Sequence, residues 1–90
     1  MNDTPVEQWL VARVAGVPPG LRARMASAVN AAPQVGEPDV VLRAAADALL
    51  AEATRCECRD AQALLAADAL ITYACEAMAE RNVRGLAGLS

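Results

Sequence analysis

No histidine occurs in this chain, no phenylalanine, and every one of its eight basic residues is arginine. Each absence removes a class of function. Without histidine, a hydroxyl or thiol nucleophile lacks its ordinary general base. The Glu-x-x-His pattern of helical di-metal sites cannot be written either. The arginines do not cluster, and the net charge is −3. Phosphate neutralisation supplies most non-specific nucleic-acid affinity, so no nucleic-acid partner is expected. No apolar run reaches the ~18 residues a membrane span needs. Gly-rich phosphate loops are missing too, since Gly16 and Gly20 flank Pro18 and Pro19 as in a turn between helices. The opening MNDTPVEQ is polar and acidic, unlike a secretory signal. Three cysteines without such a signal fit reduced thiols and a cytoplasmic protein.

Bulky side chains are also scarce. Hydrophobic residues make up 56% of the chain, but alanine dominates them, beside one Trp and one Tyr. Alanine buries little area, so stability must come from close backbone approach. Ninety residues allow one domain with one core, and a core of this size is often marginal. That marginality raises the expectation of oligomerisation.

What is present is helical periodicity. The segment from Asp60 to Asn82 has no Gly or Pro and is rich in Ala and Leu, both strong helix formers. At 100° per residue, Leu64, Ile71 and Met78 lie on one face with Ala67 and Ala74 between them. Ala63, Leu70, Cys75 and Ala77 widen that face. Asp68, Thr72, Glu76 and Glu80 line the opposite side, with Leu65 an apolar exception among them.

Three helices are expected before it. Thr4-Pro5-Val6-Glu7 reads as a capping box with proline at the first helical position. Val6, Leu10 and Val14 share a face beside Trp9, and Gly16 is the expected left-handed stop. The first helix is thus placed at about 5–15. A second at 19–32 carries Leu21, Met25, Ala28 and Val29 and ends before Pro33. A third at 38–55 starts at Pro38, with Asp39 favourable in its first turn and Leu42, Ala46, Leu49, Ala53 and Cys56 as its buried stripe. Arg43 and Asp47 form an i,i+4 pair worth ~0.3 kcal/mol. The fourth spans 60–82, and Gly85 is expected to end it before the tail at 85–90.

The fold class is therefore all-α: a small four-helix domain, with two short N-terminal helices packed on a C-terminal antiparallel α-hairpin. One unbroken helix over 39–82 is the competing reading. Folding the chain about residue 58 supports the hairpin. Ala53 then faces Leu64, Leu49 faces Ala67, Ala46 faces Ile71 and Leu42 faces Ala74, so each large residue meets an alanine.

Few constellations suggest chemistry. Cys56 and Cys58 are the weak metal candidates, but Cys75 lies about 24 Å along a helix from them. A three-cysteine zinc site is excluded in the hairpin, as is a Cys58–Cys75 disulfide. Cys56 and Cys75 are read as small core residues. Tyr73 is expected at the edge of the core with its hydroxyl in water. The acidic line is read as a solvated face, neutralised if at all by Arg22 or Arg24 or by a partner chain. No catalytic residue and no cofactor emerges, and the balance tilts against an enzyme.

The run Leu64-Leu65-Ala66-Ala67-Asp68-Ala69-Leu70-Ile71-Thr72-Tyr73-Ala74-Cys75-Glu76 resembles a helix of isoprenyl diphosphate synthases that often reads L-A-G-D-A-L-L-x-x-A-F-E. It covers about a seventh of the chain. That family's aspartate-rich motifs, which hold magnesium and diphosphate, are missing, so no catalytic residue carries over. The resemblance implies at most an accessory subunit or remnant of a helical enzyme. The leading expectation is a protein–protein interaction or homodimerisation module, with Leu65, Asp68, Thr72, Glu76 and Glu80 as the interaction face. A small-ligand or metal-binding protein using cysteine or carboxylate groups is the alternative. The partner is a protein or a second copy, not a membrane.

Overall fold

The computed structural model describes residues 5–55 and 61–87, with side chains as far as residue 85. Among the described residues every regular element is a helix: α1 Pro5–Val11, α2 Pro19–Ala31, α3 Pro38–Arg55 and α4 Ala61–Ala87. The fold is the expected one. α3 and α4 make the most extensive contact, and α2 packs on both. They run antiparallel: Asp39 at the start of α3 pairs with Arg81 late in α4. At the opposite end Arg24 of α2 reaches both Glu52 of α3 and Gln62 of α4. The unbroken helix over 39–82 is ruled out by this pairing. The expected turn at Cys56–Arg59 and the capping hydroxyl of Thr4 lie outside the described residues, as do the Leu86 side chain and Leu89.

Prolines fix three of the helix starts. Pro5, Pro19 and Pro38 open α1, α2 and α3, where a missing N–H costs nothing and φ is already helical. Glu37 precedes α3, and its carbonyl accepts from the N–H groups of Val40 and Val41. The stops differ from expectation. α1 ends at Val11, not near residue 15, because Arg13 N–H bonds the Leu10 carbonyl at 2.9 Å and tightens the last turn. A second such turn joins Val17 to Val14. The chain has thus left the helix before Gly16, which has no left-handed φ. The left-handed glycine is Gly36, at φ 92°, in the loop before α3. Gly85 does not end α4, which continues to Ala87. A glycine costs a helix about 1 kcal/mol relative to alanine but stops it only where the chain turns back.

The core is rich in alanine as expected, but α4 is rotated from the predicted pairing, which had set Leu64 against Ala53 and Ile71 against Ala46 within the seam. Leu10, Met25, Val29, Val41, Leu42 and Leu70 are its largest fully buried side chains. Around them Ala45, Ala46, Ala63, Ala66 and Ala67 have no exposure at all. On α4 the buried line is Ala63, Ala66, Ala67, Leu70, Ala74 and Ala77, with one large residue among six. Leu64 and Met78, expected at its centre, are 46% and 43% exposed, and Ile71 is half-buried. The facing helices already supply the bulk, so α4 turns its alanine side inward and leaves its large residues at the margin. Cys75, expected in the core, is exposed for the same reason.

Ala46 and Ala67 are the sharpest test of this close packing. Leucine at either position overpacks the seam and lowers stability by ~1–3 kcal/mol. Urea unfolding reads the loss directly, and unchanged midpoints in both variants would contradict the seam.

Candidate functional site

Two surfaces of α4 gather side chains beyond what the core requires. The first is the junction with α1. Arg13, just past α1, reaches across to α4 and bridges two of its carboxylates. Its Nε donates to Glu76 Oε1 at 3.2 Å, and its Nη2 donates to Glu80 Oε1. Its Nη1 donates to the Trp9 carbonyl at 3.1 Å, and its guanidinium lies 3.9 Å from the Trp9 ring centroid. The Trp9 indole N–H donates to Glu80 Oε2 at 3.0 Å. Tyr73 closes the group: its ring meets Trp9 edge-on at 6.5 Å, and its hydroxyl donates to the Arg13 carbonyl at 3.4 Å. That hydroxyl therefore has a protein partner, contrary to the expectation of water.

This junction corrects the reading of the acidic line. Arg13 neutralises it, not Arg22 or Arg24; Arg24 is committed to Glu52 at 2.9 Å. The expected interaction face is split. Leu65, Asp68 and Thr72 are exposed, with Leu65 at 60%. The Thr72 hydroxyl donates back to the Asp68 carbonyl at 3.2 Å. Glu76 and Glu80 instead hold α1 in place. Beside them runs an open groove of about 640 Å³ lined by Trp9, Arg13, Pro38, Ala77, Val83 and Arg84.

Electrostatics follow the geometry. Partial burial acts to raise the Glu80 pKa, but hydrogen bonds from Arg13 and Trp9 and the charges of Arg13 and Arg84 outweigh it. The carboxyl lies below its ordinary value as a result. Asp39, 9% exposed, is the one buried charged residue among those described. Arg81 clamps it with two parallel bonds, Nε to Oδ1 at 3.1 Å and Nη2 to Oδ2 at 2.9 Å. The hydrogen bonds and charge of Asp39 in turn raise the Arg81 pKa further above its already high value. Neither residue figured among the sequence candidates. The signal was available: Asp39 continues the Leu42–Ala46–Leu49 stripe of α3, and Arg81 continues the Ala74–Ala77 line of α4. An acid and a base on two facing apolar stripes are a readable pair.

The second surface is the flank of the hairpin away from α1. A shallow groove of about 390 Å³ runs between α3 and α4 there. Val40, Arg43 and Asp47 form one wall, and Ile71, Cys75 and Met78 the other. Arg43 and Asp47 make the expected i,i+4 pair at 3.5 Å. Cys75 is a free thiol on this surface. Cys56 and Cys58, the metal candidates, lie outside the described residues. Among the described residues no three of Cys, Asp and Glu converge. No protein-family model, curated protein or solved structure matches this chain.

The Arg13 junction generates a pH prediction. Because the Glu80 pKa is lowered in the folded state, its contribution to stability is complete above the ordinary glutamate range. It is lost as pH falls through the depressed folded value. Glu80→Gln removes that share of the acid limb. Denaturant midpoints across acidic pH, followed by the fluorescence of the single Trp9, report the change. An acid limb identical to that of the unaltered protein would show that the pair contributes nothing.

Proposed function

We propose that this chain is a helical protein–protein interaction module that presents the α3/α4 hairpin to a partner helix, either of another protein or of a second copy. One observation carries the reading. On the flank that α1 and α2 leave uncovered, α4 offers Leu64, Ile71 and Met78 seven residues apart, and α3 adds Val40, which is also exposed. Large apolar side chains at helical spacing on an open flank suit a helix laid into the groove beside them. The exposed Leu65, Asp68 and Thr72 extend the same surface, whereas Glu76 and Glu80 support it from the α1 side.

We further propose a cytoplasmic setting for the module. The free, exposed thiol of Cys75 supports that assignment, since such a group persists best in a reducing compartment. No described helix is long and apolar enough to cross a membrane. A small-ligand reading has the groove beside Trp9 in its favour, because its volume lies in the range of small-molecule sites. It ranks second because Glu76 and Glu80, the polar groups such a ligand would use, are already held by Arg13 and Trp9.

Leu64→Asp combined with Met78→Asp tests the proposal, because both side chains are already partly in water. The double variant keeps its helicity and unfolding midpoint and loses association, whether with itself by light scattering or with a partner captured from its native cell. Association that persists undiminished in the variant would assign it to another surface.

A further inference from the structure

We infer that residues 5–17 form a releasable strap, and that the berth it leaves on α2, α3 and α4 receives instead an amphipathic helix of another protein with the same side-chain pattern. This surface is separate from the α3/α4 flank and goes beyond the reading of it.

The segment is self-contained. The turns that follow α1 close within it, from Ala12 to Gln8, Arg13 to Leu10 and Val17 to Val14. Pro18 and Pro19, which have no backbone N–H to donate, then lead into α2. The segment can therefore lift away without breaking the backbone ladders of α2, α3 or α4. The hydrogen bonds that join it to those helices run through side chains. Arg13 and Trp9 reach Glu76 and Glu80, the Tyr73 hydroxyl reaches the Arg13 carbonyl, and Asn30 of α2 reaches Glu7 at 2.8 Å.

Its hold is also light. Seven residues are too few for a helix stable on its own, so α1 is helical only while docked. The Glu76 and Glu80 side chains are 48% and 41% exposed, so water and salt screen the Arg13 bridge. The groove of about 640 Å³ lined by Trp9, Arg13 and α4 leaves the junction open to solvent. α3 and α4, by contrast, share a seam of fully buried alanines. The strap therefore opens before the hairpin does.

The docked strap displays the chemistry of what can replace it. Val6, Trp9, Leu10 and Arg13 stand at i, i+3, i+4 and i+7, the anchor spacing of a helix laid in a groove. Val6 and Leu10 enter the core, while Trp9 and Arg13 meet the α4 carboxylates. Release of the strap leaves an apolar slot beside Glu76 and Glu80, with Arg84 the base that stays near them. Two carboxylates against one guanidinium keep the berth acidic. It repels an acidic helix and matches one that carries a base seven residues after its first apolar anchor.

Native-state hydrogen exchange on the full chain is the first test. The amides of Trp9 and Leu10 are expected to be at least ten-fold less protected than those of Leu42, Ala46 and Leu70. Equal protection would show that strap and hairpin open together and would overturn the strap. The second test adds a fluorescein-labelled peptide of residues 5–17 as stand-in for the partner helix. Apparent affinity falls with the fraction of berths left open, so Arg13→Glu in the chain, which drives its own strap away, tightens peptide binding at least three-fold. Glu80→Arg also frees the strap but removes the match. That chain binds the peptide more weakly than the Arg13→Glu chain and prefers a peptide carrying Arg13→Glu. Absence of peptide binding to the Arg13→Glu chain, or an affinity indifferent to the charge at position 80, would overturn the berth. A dimer of the Arg13→Glu chain that excludes the peptide would make the occupant a second copy and overturn the foreign helix. Leu64→Asp combined with Met78→Asp leaves peptide binding unchanged, so failure here and failure of the flank reading are separate results.

Discussion

The close approach of α3 and α4 is the constraint on which the rest of this small domain depends. With no phenylalanine, one Trp and one Tyr, and alanine dominating its apolar residues, the chain has little bulk with which to fill a wide space between helices. It narrows the space instead. Alanines with no exposure surround a handful of leucines and valines, and dispersion between near backbones replaces bulk. Such packing is directional. The alanine side of α4 must face inward, so Leu64, Ile71 and Met78 move to the margin. The exposed flank is thus a by-product of how the core is filled.

The other side of the hairpin is held differently. α1 has only seven residues, and two of them, Val6 and Leu10, are buried. That is a small apolar anchor for a docked element. Arg13 and Trp9 supplement it with a polar bridge onto Glu76 and Glu80, and the Tyr73 hydroxyl of α4 donates back to the Arg13 carbonyl. The bridge uses the carboxylates that would otherwise repel one another along α4. It therefore converts a run of like charge into an attachment point. Asp39 and Arg81 play the matching role where α3 begins, each satisfying the other at an edge of the core.

Much of this was open to reading in the sequence. Proline positions gave three of the helix starts, and the Ala-rich apolar arcs gave two long helices that can approach closely, although the predicted facing pairs put Leu64 and Ile71 inside a seam that they only border. Both are local signals, carried by φ restriction and by side-chain volume. The stops were harder. Gly16 and Gly85 looked like terminators, but a glycine ends a helix only when the following chain must turn, and that depends on where the next element docks. The inward face of α4 escapes periodicity for a similar reason. The pattern identifies an apolar arc that holds Leu64 and Met78 as well as Ala63 and Ala77, and not which part of it meets the core.

The amino-acid sequence by itself determined the all-helical class, the order of four helices, and the absence of the histidine-based chemistry that helical enzymes commonly use. Those follow from residue types and spacings within single segments. Only the tertiary structure decided which carboxylates are engaged and by whom. Arg13 and Glu80 are 67 residues apart, as Asp39 and Arg81 are 42 apart. Pairs that distant are selected by the packing of whole helices. The same holds for Cys75, core-like by composition and exposed in fact, because exposure belongs to the orientation of α4 and not to the residue.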